Sequence, residues 1–342
     1  MKVALLMSGG VDSSYCAYLL SSKGYEVVGL YLKLHNNEKK HQVFIQNCQD
    51  VAKHLNITFE VIDAQEEFYQ NVYKNFIESY KNGQTPNPCA ICNPLMKFGL
   101  GLKKARELGC EKIATGHYAQ IKEINGIKRI AKAFDDTKDQ SYFLYALSQD
   151  AIDSIILPLG AMLKVDVKKT ALELLPFLGT LQTYKESQEI CFVENSYIDI
   201  LKQHEQVDNE GIVRNSKGEI IGKHKGYMRY TIGKRKGFNV FGSHIAHYVK
   251  SIHPQNNEIV VGTKEELAVG SIKALNLSLP QSFNNGIYDI KVRYRSLPIK
   301  AKITIQKDDI DAQLLESAYG VAKGQSLVVY KDDCVLGGGV IM

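Results

Sequence analysis

Small and hydroxylated residues fill the string Met7-Ser8-Gly9-Gly10-Val11-Asp12-Ser13-Ser14, which lies between an apolar run, Val3 to Met7, and a helical pattern, Asp12 to Leu20. Paired glycines let a backbone turn sharply and bring its N–H groups against phosphate oxygens, while the helix that follows aims its positive end at the same anion. Ser8, Ser13 and Ser14 add hydroxyl donors. Asp12 repels a bare phosphate, so its presence calls for a magnesium ion between the two, and the string predicts ATP with Mg2+. The Gly-Lys-Ser/Thr ending of a P-loop is absent, which argues against a γ-phosphate-transferring kinase or GTPase. A plain glycine turn capped by Asp or Ser is the structural alternative at such a junction.

Thiols supply the second signal. Thr85-Pro86-Asn87-Pro88-Cys89-Ala90-Ile91-Cys92-Asn93 carries two of them, on a loop expected from Gln84 to Pro94 because Pro86, Pro88 and Pro94 oppose regular helix. A third lies in Glu189-Ile190-Cys191-Phe192. A helix expected from Leu95 to Leu108 puts Cys92 just ahead of its N-terminus, where thiolate is favoured, and Lys97 adds a cation. A second Cys-x-x-Cys or Cys/His pair is missing, so Cys89 and Cys92 make a poor structural zinc site. Cys16, Cys48, Cys110 and Cys334 fall in helical or strand patterns and read as small apolar residues.

The elements that must position these groups follow from periodicity. The chain begins βαβα: strands at Val3 to Met7 and Val27 to Leu34, helices through Asp12 to Leu20 and through Val43, Val51 and Leu55. A strand at Ile57 to Asp63 precedes a helix, Glu66 to Tyr80, with Phe68, Val72, Phe76 and Ile77 on one face. Another strand is expected at Lys112 to Tyr118, a hairpin at Asn125-Gly126 and a helical stretch at Leu172 to Phe177. From about Gly211 onward, short strand-like runs between Gly, Asn and Lys turns indicate an all-β region, broken near His253 to Asn257. The fold class is therefore α/β plus β, with a Rossmann-like parallel-sheet domain (1-200), a small β-rich middle module (201-256) and a C-terminal β-barrel (257-342).

Composition agrees with a globular enzyme. The 342 residues are 44% hydrophobic, enough for roughly two to three domains. The seven cysteines, an odd number without a secretion signal or membrane span, argue for a reducing, cytoplasmic setting and against a disulfide framework or a membrane partner. A net charge of +5 favours an anionic partner but decides little.

SGGVDSS matches the signature of the PP-loop ATP pyrophosphatases, which adenylate a carbonyl oxygen. With TPNPCAICNPLMKF, ATGHYA, KDQSYFL, QEICFV and YTIGKRKG in this order, nearly the whole chain resembles the tRNA-specific 2-thiouridylase family. The resemblance implies ATP-dependent adenylation of a wobble uridine in the anticodon loop of tRNA, then replacement of its C2 oxygen by sulfur. It makes Cys92 the nucleophile and Cys191 the cysteine that carries persulfide sulfur, so that a Cys92–Cys191 disulfide forms without being structural. It also implies a sulfur-donor protein, such as a cysteine desulfurase or sulfur relay protein. Met7, the 8–14 string, Leu32 and Gly116 match positions that hold ATP; many relatives have Met where Leu32 stands. Asn87, Pro88, Cys89, His117, Lys138, Asp139, Gln140, Arg293, Tyr294, Arg295 and Gln325 match tRNA contacts.

Cys89 departs from the many members that carry Asp there. Three thiolates at Cys89, Cys92 and Cys191 also suit three irons of a four-iron cluster with one iron open to hydrosulfide, so the cysteines leave two routes, of which persulfide relay is preferred. Two segments read as grips on RNA. His224 to Gly237 interleaves cations with aromatics and glycines, and Arg293-Tyr294-Arg295 on a strand puts both arginines on one face. The rival readings are another PP-loop synthetase acting on a small molecule, which has no need of Cys92 and Cys191, and an RNA-binding module that keeps ATP as a structural ligand.

Overall fold

A computed structural model of the protein describes residues 1–181, 190–242, 245–280, 282–307 and 309–342. Gln188 and Glu189 of the third cysteine motif lie outside these residues. The chain divides into two compact units, one of Met1–Val72, Cys89–Gln188 and Asp332–Val335, the other of Tyr73–Pro88, Glu189–Lys331 and Leu336–Met342.

The first unit is built on a parallel sheet. Its elements are β1 (Lys2–Leu6), α1 (Val11–Ser22), β2 (Glu26–Lys33), α2 (Glu38–Leu55), β3 (Thr58–Asp63), β4 (Lys112–Thr115), the hairpin β5 (Gln120–Ile124) and β6 (Ile127–Ala131), and β7 (Ile155–Ile156). The parallel order is β3-β2-β1-β4-β7. Both faces of β1 are covered, which is why Val3, Ala4 and Leu5 run on without polar alternation and are fully buried. Val11, Cys16, Ala17, Val51, Ala114, Leu159 and Val167 complete this core. Asn125 (φ 53) and Gly126 (φ 76) take the left-handed pair that the hairpin requires. In α2, Val51 is buried but Val43 is 59% exposed; His41 and Cys48 take the inner face instead.

The proline segment departs from expectation. Only its beginning is loop. A helix spans Pro88–Cys92, continues as a π-helix over Asn93–Leu100 and returns to α over Gly101–Glu107. Pro88 opens the first position, where a missing N–H costs nothing. Pro94 falls where the helix widens, and its carbonyl faces Gly99 so closely that a Cβ there would lie 2.7 Å away. A π-turn absorbs the hydrogen bond that proline cannot donate. Cys92 therefore lies inside a continuous helical stretch, not ahead of its N-terminus.

In the second unit, Phe76, Ile77 and Tyr80 pack with Val193, Leu201, Val207 and Met228. A mixed sheet follows, of β8 (Gly211–Arg214), β9 (Ile220–His224), β10 (Phe238–Val240), β11 (Tyr248–His253) and β12 (Glu258–Gly262), in the order β10-β9-β8-β12-β11. The break expected near His253 to Asn257 is a 3-10 turn with left-handed Asn257 (φ 50), and it joins β11 to β12 within this sheet. The strands β13 (Ala268–Ser278), β14 (Gly286–Lys291), β15 (Ile299–Gln306), β16 (Asp309–Tyr319), β17 (Ser326–Lys331) and β18 (Cys334–Ile341) form a barrel. Their order is β13-β16-β15-β14-β17-β18, closed by β13 pairing β18. Alternate residues such as Ile272 and Ala274, Ala301 and Ile303, Ile310 and Ala312 fill it. Among the described residues no helix is long and apolar enough to cross a membrane.

Candidate active site

Strand order reverses at β1, whose neighbours are β2 and β4. In such sheets the crevice at the carboxyl ends of the diverging strands is the natural ligand site. Ser8 to Ser14 leave the end of β1 there, Gly116 follows β4, and half-buried Leu32 lies at the end of β2. Met7 is buried and donates its N–H to Leu30 at 2.8 Å, prolonging the β1–β2 pairing up to the turn.

Gly9 (φ 72) makes the turn, and a Cβ on it would stand 2.6 Å from the Phe44 carbonyl oxygen of α2. Asn47 Nδ2 donates to the Gly9 carbonyl at 3.2 Å. Gly10 is the N-cap of α1 and offers no capping side chain. Ser13 and Ser14 donate their hydroxyls to the Gly10 carbonyl at 3.1 and 2.9 Å, and Ser8 N–H donates to Ser13 Oγ at 3.1 Å. Val11, Ser13 and Ser14 are buried while Ser8 is exposed. A Cβ on Gly116 would lie 3.2 Å from Asp12 Cβ and 3.3 Å from Ser13 N, so only glycine lets the β4 loop come this close. An exposed hydroxyl, a helix start without a side-chain cap and two glycine approaches fit a phosphate chain.

Asp12 does not fit the magnesium role in this arrangement. Lys164 Nζ stands 2.6 Å from each of its oxygens, and Tyr118 Oη donates to Oδ1 at 2.9 Å. The carboxylate is thus already engaged by a cation and a phenol.

The thiol helix packs on the same strands, since a Cβ on Gly101 would meet Leu6 at 3.3 Å and Ile113 at 3.6 Å. Cys89 and Cys92, one turn apart on Pro88–Cys92, share a helical face; Cys92 is buried and Cys89 half-buried. Asn93 is 1% exposed and donates Nδ2 to the Phe143 carbonyl at 2.9 Å. Farther along the helix, Lys97 Nζ is 3.3 Å from His117 Nε2, and His117 Nδ1 is 3.1 Å from Thr115 Oγ1. An ammonium can only donate, so Nε2 accepts and Nδ1–H faces the threonine. Burial, then the Lys97 charge, hold the His117 imidazolium well below the usual range, so the ring is neutral. Cys191 is exposed and belongs to the second unit. Among the described residues no three His, Cys, Asp or Glu side chains gather as metal ligands.

The residues matched to tRNA contacts are largely engaged within the protein. Asp139 is buried and accepts from Ala133 N–H, Ser141 N–H and Ser141 Oγ at 3.1, 3.1 and 2.9 Å. Gln140 bonds the Tyr118 backbone in both directions, and Lys138 is half-buried. In the second unit Gln325 Nε2 donates to the Thr85 and Pro86 carbonyls at 3.1 and 2.9 Å, and Asn87 Nδ2 donates to Ser326 Oγ at 3.0 Å. Pro88 is buried. Arg293, Tyr294 and Arg295 lie in bends and turns beyond β14, not on a strand, so strand alternation does not set their faces. Arg293 donates to the Ile232 carbonyl at 2.7 Å, which pulls the chain out of the ladder. In the basic stretch, Tyr230 and Met228 are buried, Lys234 donates to the Arg229 carbonyl at 2.6 Å and Arg229 pairs with Asp208, leaving Arg235 and Lys236 exposed.

Sequence reading missed Lys164 and Tyr118. Tyr118 sits inside ATGHYA, beside Gly116. Lys164 begins the helix Lys164–Leu174, where a cation opposes the helix dipole; that misplacement is its signal.

Profiles of three protein families cover the chain: "tRNA methyl transferase HUP domain" matches residues 1–195, "tRNA methyl transferase PRC-barrel domain" 198–263 and "Aminomethyltransferase beta-barrel domain" 264–341. The chain is 77% identical to the tRNA-specific 2-thiouridylase MnmA of Helicobacter hepaticus, covering 100% of this chain and 99% of the relative. It is 59% identical to the MnmA of Helicobacter pylori strain HPAG1 and 45% identical to that of Campylobacter jejuni serotype O:6, with 100% of both chains covered in each comparison. The profile descriptions speak of methyl transfer and the relatives of thiolation; identity along the entire length gives the second description more weight.

Proposed function

Because the chain belongs to the tRNA-specific 2-thiouridylase family, we propose that it is an ATP-dependent sulfurtransferase that converts the wobble uridine of tRNA to 2-thiouridine. The observation that carries this reading is the Ser8–Ser14 turn at the end of β1 with Gly116 pressed against it, a cradle for a nucleotide's phosphates in a chain that also carries Cys92 and Cys191.

ATP supplies the adenylyl group that makes the uridine C2 oxygen a leaving group. The turn orients the phosphates through its N–H groups and Ser8, and the Gly116 loop bounds the nucleotide on the other side. Cys191 carries a persulfide. The Cys92 thiolate attacks the inner sulfur and forms the Cys92–Cys191 disulfide; the hydrosulfide released attacks C2, and the oxygen leaves with AMP. A dithiol or equivalent two-electron reductant then resets both thiols. The anticodon loop, whose bases can be splayed out, presents the uridine, and neutral His117 offers the target base a polar neighbour without charge. A cysteine desulfurase or sulfur relay protein loads Cys191 in this scheme.

The test is thiolation of unmodified tRNA, followed by mass spectrometry of the nucleosides and by pyrophosphate release. Cys92→Ser and Cys191→Ser are each expected to lose 2-thiouridine while tRNA-dependent pyrophosphate release persists. A thiolating Cys92→Ser would overturn the scheme. The same-face pair Cys89 and Cys92 favours one alternative, a four-iron cluster completed by Cys191. Anaerobic purification with iron and sulfide analysis separates the two, because stoichiometric iron required for activity contradicts persulfide relay.

A further inference from the structure

The turn that carries Cys92 runs directly into the π-helix Asn93–Leu100. In an α-helix Lys97 would neighbour Asn93, four positions back; pairing from i to i+5 widens the turn and swings Lys97 toward Cys92, five back. Its half-buried ammonium donates to His117 Nε2 at 3.3 Å, and among the described residues it pairs with no carboxylate. An ammonium has three N–H donors, so two remain. The His117 ring has none to spare, because its Nδ1 is engaged by Thr115 Oγ1 at 3.1 Å. His117 directly follows Gly116, where a Cβ would lie 3.3 Å from Ser13 N in the first turn of α1. Lys97 therefore ties the thiol helix to the loop that touches the Ser8–Ser14 turn, within one compact unit. A half-buried charge is costly unless paired, and here the pairing is left to a bound anion.

Thiolation creates such an anion. When hydrosulfide displaces AMP, the C2–S bond forms and the C2–O bond breaks, its electron pair going to the phosphate oxygen. The hydrosulfide proton ends on N3, replacing the one lost at adenylation. AMP thus leaves with one more negative charge than its ester carried. We propose that Lys97 is a further catalytic residue, whose ammonium donates to a phosphate oxygen of the adenylated uridine and stabilises the charge that AMP carries away. His117 is its positioning residue: it takes one N–H and so aims the other two. A donor fixed in advance where charge develops contributes most, since nothing has to reorganise at the moment of reaction. A neutral imidazole in its place would supply a contact without the charge. This inference rests on the thiouridylase reading above.

A single turnover of the full chain, in excess over unmodified tRNA with ATP, magnesium and sulfide, tests it by following pyrophosphate and 2-thiouridine separately. Lys97→Gln keeps an N–H donor for His117 and removes the charge. It is expected to keep the wild-type amplitude of the pyrophosphate burst and the melting temperature, while 2-thiouridine forms about 100- to 1000-fold more slowly. A lysine that merely holds His117 is replaced by glutamine without loss, so a 2-thiouridine rate within about twofold of wild type overturns the proposal. Loss of the pyrophosphate burst along with thiolation also overturns it, because Lys97 would then act before AMP departs. Should Lys97→Gln not fold, Lys97→Ala decides with added propylammonium, the part of the side chain that alanine lacks. Recovery of 2-thiouridine by propylammonium but not by tetramethylammonium, a cation without N–H, is expected. No recovery, or equal recovery by both, overturns the proposal. A wild-type chain that neither releases pyrophosphate on addition of tRNA nor forms 2-thiouridine overturns the proposed function instead, whereas an active wild type with an equally active Lys97→Gln overturns the role of Lys97 alone.

Discussion

At the Ser8–Ser14 turn the hydroxyls of Ser8, Ser13 and Ser14 find partners within five positions along the chain, while in the stretch His224 to Gly237 several polar groups reach much farther. There His224 Nε2 bonds the Asn257 carbonyl, Tyr227 Oη donates to the Lys81 carbonyl and Arg229 pairs with Asp208. Both segments look like anion sites by composition. Only the first has its backbone and hydroxyls fixed by its own spacing, because two glycines and a helix start set the turn, while the Asp12 carboxylate within it is directed by Lys164 and Tyr118 from far along the chain. In the second, aromatics placed between cations are free to face either way, and burial of about 150–250 Å² per ring draws them inward. A motif defined by backbone conformation survives folding as read; one defined by side-chain types is redirected by the core.

Tyr230 gives the sharpest way to break this comparison. Its ring is 2% exposed and is crossed by His224 and Phe238, so Tyr230→Ala should cost about 3–5 kcal/mol in denaturant unfolding. Unchanged stability with weakened tRNA binding would instead make it a stacking platform. Next is Gly9→Ala, where the left-handed backbone alone costs about 1–3 kcal/mol. The methyl would also meet the Phe44 carbonyl at 2.6 Å, so calorimetry should show ATP affinity falling together with melting temperature. Gln325→Leu leaves the Thr85 and Pro86 carbonyls without their amide donor and should cost about 1–3 kcal/mol, read from the chemical-denaturation midpoint. Loss of tRNA affinity with full stability would return Gln325 to the role its resemblance suggests. The smallest effect belongs to Arg235→Ala and Lys236→Ala, both exposed. Each should leave stability unchanged and lower the salt dependence of tRNA binding by about one unit of slope; an unaltered slope would remove this stretch from the RNA surface altogether.

Legibility followed the same division. The parallel sheet was readable because strands buried on both faces are apolar without alternation, as Val3 to Leu6 are, and the hairpin at Asn125-Gly126 because few other residue pairs take positive φ twice. The thiol segment misled because prolines were read only as breakers. Pro88 stands where a helix accepts proline, and Pro94 where a π-turn does. Arg293 and Arg295 misled because the strand before them stops at Lys291 and Arg293 turns aside to Ile232.

The sequence by itself determined the Ser8–Ser14 turn and the order of sheet, mixed module and barrel, since these depend on local conformation and on hydrophobic periodicity. Tertiary structure alone decided which charges face one another. Asp12 and Lys164 are 152 positions apart and Asp12 and Tyr118 are 106 apart, yet they form one cluster. No spacing rule along a chain predicts such a pairing, because it arises only when elements far apart in sequence converge at one end of the sheet.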